Sequence, residues 1–265
     1  MPRLAWSGAN DRVYEVGVDQ GVLYVGNDPG VPWVGLIAIN EKSSGGSAKG
    51  HYQDGVKYLN VPPREEYEAT INAYTAPPEF AACDGTGPAG GGMFVLQQPR
   101  REFGLSYRTM VGNALDGPDH GYKLHFIYNA LTEPTQRDYN TLGSQVEPGT
   151  IAWDITTTPV RFGTNRPTAH YMVDSRYADP TRLAVLEDVM YGTDEAPARM
   201  PDPAEIYVIL NGAMGDDIII IDNGDGTWTA IGADEYVQDN GDGTFVISHW
   251  RAELLSTSNF RLTVT

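Results

Sequence analysis

Between Arg100 and Val160 the chain alternates apolar and polar residues in steps of two, and this period fixes the secondary structure as extended strand. Phe103, Leu105, Tyr107, Thr109 and Val111 share one face, and Gly104, Ser106, Arg108 and Met110 the other. Tyr122, Leu124, Phe126 and Tyr128 repeat the pattern, as do Ile151, Trp153, Ile155 and Thr157 before Pro159 removes a ladder donor. Upstream, Tyr67, Ala69, Ile71 and Ala73 alternate with Glu66, Glu68, Thr70, Asn72 and Tyr74. A helix there would set Glu65, Glu66 and Glu68 on neighbouring turns, where like charges repel.

The N-terminal 40 residues hold short Val-, Tyr- and Trp-rich pieces, such as Val22 to Val25, cut by turns such as Gly26-Asn27-Asp28-Pro29-Gly30. Helix signals come only after the alternating segments. Asp179-Pro180 supplies an N-cap and an N1 proline, Leu183, Leu186, Val189 and Met190 follow at helical spacing, and Gly192 stands where a helix ends. Asp202-Pro203, with Glu205 at N3 and Gly212 as the stop, repeats the device. The Pro-rich stretch Ala196 to Pro201 marks a boundary, giving a β domain over 1–200 and an extension over 201–265.

That extension contains a repeat. Asp222-Asn223-Gly224-Asp225-Gly226-Thr227-Trp228 recurs seventeen residues later as Asp239-Asn240-Gly241-Asp242-Gly243-Thr244-Phe245, with a weaker third copy at Thr257 to Phe260. Each unit reads as strand, Asn-Gly or Asp-Gly turn, strand, the signature of a hairpin. The same turns suggest calcium, but an EF-hand loop needs oxygens at positions 1, 3 and 5 with an acid at 12, and neither copy supplies them.

With 265 residues, 41% of them hydrophobic, the chain can bury a core without disulfides or a structural metal. Its one cysteine, Cys83, excludes an internal disulfide. The N-terminus lacks the apolar run of an export signal, and no segment approaches the ~20 apolar residues that span a bilayer, so a soluble protein made in the cytoplasm, with no membrane partner, is expected. The formal net charge of −17 disfavours stable binding to phosphate backbones. Residues 200–265 alone carry eleven acidic and two basic side chains.

Motifs for chemistry are missing. No Gly-x-Ser-x-Gly elbow, phosphate loop or His-Glu-x-x-His occurs. His120 and His125, five apart on a strand, fall on opposite faces, and His51, His170 and His249 are isolated in sequence. No catalytic residue, no cofactor and no metal ligand is therefore expected.

The wording of the segments carries a further signal. Tyr52-Gln-Asp-Gly-Val-Lys-Tyr-Leu-Asn60, Ala69-Thr-Ile-Asn-Ala-Tyr-Thr75, Pro78-Glu-Phe-Ala-Ala-Cys-Asp-Gly85, Phe103-Gly-Leu-Ser-Tyr-Arg-Thr109, His120-Gly-Tyr-Lys-Leu-His125 and Trp153-Asp-Ile-Thr-Thr-Thr-Pro-Val160 resemble, in order and spacing, the major tail protein, or tail-tube protein, of long non-contractile-tailed bacteriophages. The resemblance spans about residues 30 to 195. It implies a mainly β fold, an antiparallel β-sandwich or barrel with one or two short flanking helices, followed by a small acidic β-hairpin extension.

It also implies a structural virion protein without catalysis. Six copies would form a ring, and rings would stack into a hollow tail tube through which genome DNA passes during ejection. Partners would be other copies of the chain, the tape measure, tail terminator and baseplate proteins, and double-stranded DNA as a passenger that does not stick to an acidic wall. The loop from Thr75 to Glu102, with Glu79, Phe80, Asp84, Arg100 and Arg101, is the candidate contact between rings, because it is long and mixes charges with an aromatic. Two other readings compete: an acidic extracellular-type β module binding carbohydrate or calcium, and a β-rich hydrolase using paired carboxylates.

Overall fold

The computed structural model describes residues 12–45, 49–137, 139, 141, 148–194 and 196–211, together with the backbone of six further strands between 218 and 264. The backbone divides into two compact units, Met1–Val160 with Thr168–Arg176, and Arg161–Pro167 with Tyr177–Thr265. The fold is mainly β, antiparallel throughout its named strand pairs, with two α-helices, as the alternation required. No helix among the described residues is long and apolar enough to cross a membrane.

In the first unit the strands run in chain order as β1 (Val13–Tyr24), β2 (Val31–Pro32), β3 (Leu36–Ser44), β4 (Lys49–Gln53), β5 (Val56–Val61), β6 (Glu66–Ala73), β7 (Gly87–Gly90), β8 (Met93–Val95), β9 (Phe103–Asn113), β10 (Gly117–Thr132), β11 (Ile151–Thr157) and β12 (His170–Asp174). Eight of them make one sheet in the order β2-β1-β9-β10-β11-β6-β3, with β12 beside β10. The four segments read from alternation are β6, β9, β10 and β11. The other four strands pair off as the hairpins β4–β5 and β7–β8.

The core lies on one face of this sheet. Leu23, Ala69, Ile71, Ala73, Phe103, Leu105, Tyr107, Ile127, Ala130, Trp153 and Ile155 meet there, joined by Trp33, Phe80 and Cys83 from connecting segments. Tyr107 of β9 donates to the Glu41 carboxylate of β3, four places away in the sheet order, so the sheet curls back over its own core. Phe80 is held at the centre of the aromatic packing, its ring centroid 4.6 Å from Trp33, 5.2 Å from Phe103 and 5.3 Å from Trp153.

Strand β10 departs from the simple alternation. Its Tyr122, Leu124, Phe126 and Tyr128 set reads as the inward face, yet the register pairs His125 with Tyr107 and Ile127 with Leu105, so His125 and Ile127 face the core shared with β9. Leu124, Phe126 and Tyr128 are buried too, on the opposite side. A strand covered on both faces loses the polar half of its pattern. Asn129, at φ 47°, accompanies a register shift that brings Ala130, three residues on from Ile127, back to the core face. The same strand serves two neighbours: Lys123 to Ile127 pair with β12, and Ala130 to Thr132 with β11.

In the second unit α1 (Pro180–Tyr191) begins as its sequence requires, with the Asp179 carboxylate accepting from the backbone N–H groups of Thr181 and Arg182 at 3.0 and 3.1 Å. Gly192 closes it at φ 80°. In α2 (Pro203–Asn211) the Glu205 carboxylate takes two donors from the Arg199 guanidinium, at 2.7 and 2.5 Å. The expected stop at Gly212 lies outside the described residues. Beyond it, β13 (Ile218–Asp222) pairs with β14 (Trp228–Ile231), β15 (Val237–Asp239) with β16 (Phe245–Ile247), and β17 (Trp250–Leu254) with β18 (Asn259–Val264). Each copy of the repeat thus joins two antiparallel partners, while the turn residues, and with them the calcium question, lie outside the described residues.

Replacing Leu105, fully buried, with Ala will lower unfolding stability by about 2–5 kcal/mol, whereas Leu115→Ala, at an exposed turn, will stay within about 0.5 kcal/mol of the parent. Urea unfolding of both variants checks the assignment of inside and outside.

Candidate functional site

The residues of the loop from Thr75 to Glu102 separate sharply in space. Phe80 is 1% exposed and belongs to the core, so it offers no face to a partner; the aromatic in that loop serves packing. Asp84 is paired with the Arg137 guanidinium. Arg100 donates to the Thr132 carbonyl at 3.0 Å. Glu79 and Arg101 are exposed. Cys83, beside Phe80, is fully buried, and burial pushes its thiol up to about 11, which leaves it an inert core residue.

The rest of that loop is ordered as a 3-10 helix, Pro78–Ala82, and the hairpin β7–β8. Gly91 and Gly92 have φ of 60° and 84°, the backbone that a two-residue type I′ turn demands. The hairpin carries Met93, Phe94 and Val95 out into solvent, followed by Leu96. The β4–β5 hairpin does the same through Asp54 and Gly55, both at positive φ, exposing Tyr52, Val56, Tyr58, Leu59 and Val61. The Asp54-Gly55 pair, a hairpin-turn dipeptide, is the local signal that could have found this second hairpin.

A different group of polar residues gathers at one end of the core, beside an open cleft of about 540 Å³ lined by Glu15, Ile39, Glu41, Tyr107, Thr109 and His125 among others. Tyr107 and His125 are cross-strand partners, and their rings stack 4.6 Å apart and 3° from parallel. The β10–β12 register sets His170 opposite Ile127, diagonal to His125 on the same face. His125 Nδ1 and His170 Nε2 lie 3.0 Å apart. Glu41 reaches in from β3, with its carboxylate oxygens 3.8 Å from His125 Nδ1 and 3.7 Å from His170 Nδ1. His170, isolated in sequence, is therefore not isolated in the fold; its partner lies 45 residues away, and no local pattern announces the pair.

The protons in this cluster can be assigned. The Thr109 hydroxyl donates to Glu15 Oε1 at 2.6 Å, so its oxygen is left to accept from His125 Nε2 at 3.0 Å. His125 then carries its proton on Nε2 and presents a bare Nδ1. Burial is the main cause that pushes His125 down, to about 4, and it lowers His170 as well, so both imidazoles are neutral at neutral pH. Burial, reinforced by its hydroxyl neighbour Tyr67 and by Glu41, drives the Tyr107 phenol far up, and it remains a donor to Glu41. Among the described residues the Tyr67 hydroxyl is buried without a hydrogen-bond partner, near enough to Glu41 that the carboxylate helps raise its pKa after burial itself. Glu41, His125 and His170 are also the group whose ligand atoms, one from each, all lie within 4.8 Å of one another.

No protein-family model matches the chain, and no curated protein matches it significantly. Among solved structures, one that matches is a chain of the cryo-EM structure of the anti-feeding prophage (AFP) baseplate, 6-fold symmetrised, at 14% identity over 65% of this chain and 97% of that one. Its TM-score of 0.33 is too low to bear on fold or function.

Phe80→Ala will cost about 3–5 kcal/mol of stability, and Glu79→Ala, one residue away, less than about 0.5 kcal/mol. A thermal or urea unfolding comparison of these neighbours checks that the loop is split between core and surface.

Proposed function

We propose that this chain is a structural virion protein of a long-tailed phage, the repeating subunit of a tail tube, with no catalytic role. Six copies close into a ring and rings stack around a lumen that passes the genome. Its partners are further copies of itself, with tape measure, tail terminator and baseplate proteins at the tube ends, and its place is the virion tail. The resemblance of six segments in order supports this reading, as does the mainly β fold in which four of them form adjacent strands.

The observation that carries the assembly is the pair of hairpins. β4–β5 and β7–β8 hold large apolar side chains in water, Tyr58 at 72% and Phe94 at 56% exposure among them. Exposed apolar groups concentrated on two projecting ribbons mark surfaces that another protein covers. Glu79 and Arg101, the exposed members of the candidate loop, flank the β7–β8 hairpin in sequence and make the contacts between rings. The acidic balance suits a lumen wall, because a duplex releases no counterions to a surface poor in Lys and Arg and slides past it. Residues 201–265 form an acidic β-hairpin extension of this subunit.

Negative-stain electron microscopy of the full chain over a concentration series tests the proposal. Rings or tubes with six-fold end views are expected, and Tyr58→Asp and Phe94→Asp will leave folded monomers by circular dichroism while removing the assemblies. Monomers of the parent at every concentration would overturn it. Unchanged tube length in Glu79→Lys and Arg101→Glu would remove the loop from the ring contact while leaving the tube itself standing.

A further inference from the structure

We propose that Glu41, His125 and His170 form a binding site for one divalent transition-metal ion of the zinc type. The argument begins with lone pairs. Thr109 fixes the His125 proton on Nε2, so His125 Nδ1 accepts from the His170 Nε2 proton at 3.0 Å. The other nitrogen of His170, Nδ1, lies 3.7 Å from Glu41 Oε2. Two imidazoles and a carboxylate thus converge where the core meets water, with Glu41 on the exposed side, and a cation among them would draw on all three. Each imidazole gives the ion its one lone pair and keeps its one proton, so binding needs no net proton loss; His125 Nδ1 turns from the His170 N–H to the ion.

Distances and donor types agree with this occupant. Four ligands at zinc bond lengths stand roughly 3.3 Å from one another. One ligand atom from each of the three residues lies within 4.8 Å of the other two, and side-chain rotation closes them to that spacing. Two imidazoles and one carboxylate suit Zn²⁺, Co²⁺ or Ni²⁺ better than Ca²⁺ or Mg²⁺, which take mostly oxygen. The supporting shell is in place: His125 Nε2 is held by Thr109 with Glu15 behind it, and Glu41 accepts from Tyr107. Three protein ligands leave a fourth position for a water from the cleft, on the side toward which Glu41 opens. The ion would tie β3 to β10 and β12.

The test uses the full chain, stripped with EDTA and titrated with ZnCl₂ by calorimetry and with CoCl₂ by visible absorption. One ion per chain, strong four-coordinate Co²⁺ bands and a higher thermal midpoint with Zn²⁺ are expected. Glu41→Gln and His170→Gln will each weaken binding by at least about tenfold, the low end of what losing even an outer partner costs. His120→Gln, at the β9–β10 turn, will bind as the parent does. Because the core-side variants carry a folding risk, side-chain NMR of the parent supplies a second reading: of the five histidines, Zn²⁺ shifts His125 and His170. No binding by the folded parent, binding untouched by Glu41→Gln and His170→Gln, or shifts confined to other histidines would each overturn the site.

Discussion

The structure of the first unit depends on a single packing event, the closure of one antiparallel sheet over a cluster of aromatic rings. Trp33, Phe80, Phe103 and Trp153 come from a turn, a 3-10 helix and two strands, so their contacts fasten the connecting segments to the sheet as well as filling its centre. Tilted and edge-to-face pairs of this kind add about 0.5–1.5 kcal/mol each beyond the area they bury. Trp33 also donates its indole N–H to the Thr75 carbonyl at 2.9 Å. The Trp153 indole N–H, among the described residues, has no acceptor. An orphaned donor costs about 1–3 kcal/mol, and the ring keeps its place because burial of its apolar surface against Trp33 and Phe80 outweighs that cost.

The strands on either side of this cluster were legible because each turns its apolar set to the core, although Ser106, on the opposite face of β9, is fully buried too. In β6, β9 and β11 the inward set reads straight off the alternation, and Asp179-Pro180 with Gly192 bounds α1 for reasons that act within a few residues. Where burial comes from two sides, as in β10, local pattern fails: Leu124, His125, Phe126 and Ile127 are all inside, and nothing in the order of residues says which face meets β9. Phe80 failed for a related reason. An aromatic in a long Gly-rich stretch reads as a surface contact until the fold shows a hole in the core that only it fills. The polar cluster was wholly illegible, since Glu41, His125 and His170 come from three strands and their meeting is a property of sheet order and register.

That cluster sits where the core meets water, and its chemistry follows from the position. Tyr107 is a core residue by its ring and a surface residue by its hydroxyl, and the hydroxyl is satisfied only because Glu41 of β3 bends over it. His125 repeats the arrangement, with one ring face on Tyr107, the Nε2 edge on Thr109 and the Nδ1 edge on His170. Such networks are stable when every donor and acceptor is matched and costly when one is not. Here Glu41 faces His170 Nδ1 at 3.7 Å, longer than a hydrogen bond, and that gap is where the proposed cation would sit.

The same network governs the edge of the sheet. β3 ends the strand order and, among the described residues, is hydrogen-bonded as a strand only to β6, while its residues Asn40 to Ser43 are exposed. An edge strand left this way is a template for pairing with another chain unless something fixes or blocks it. Ile39 packs against the core and Glu41, two residues on, is held by Tyr107, so the strand is pinned along its inward face, with β1 across the cleft from it. In the proposed tube a pinned β3 would hold one geometry toward every neighbouring copy, whereas a drifting strand would present a different one to each. The polar cluster would then supply the rigidity on which that repeated contact depends.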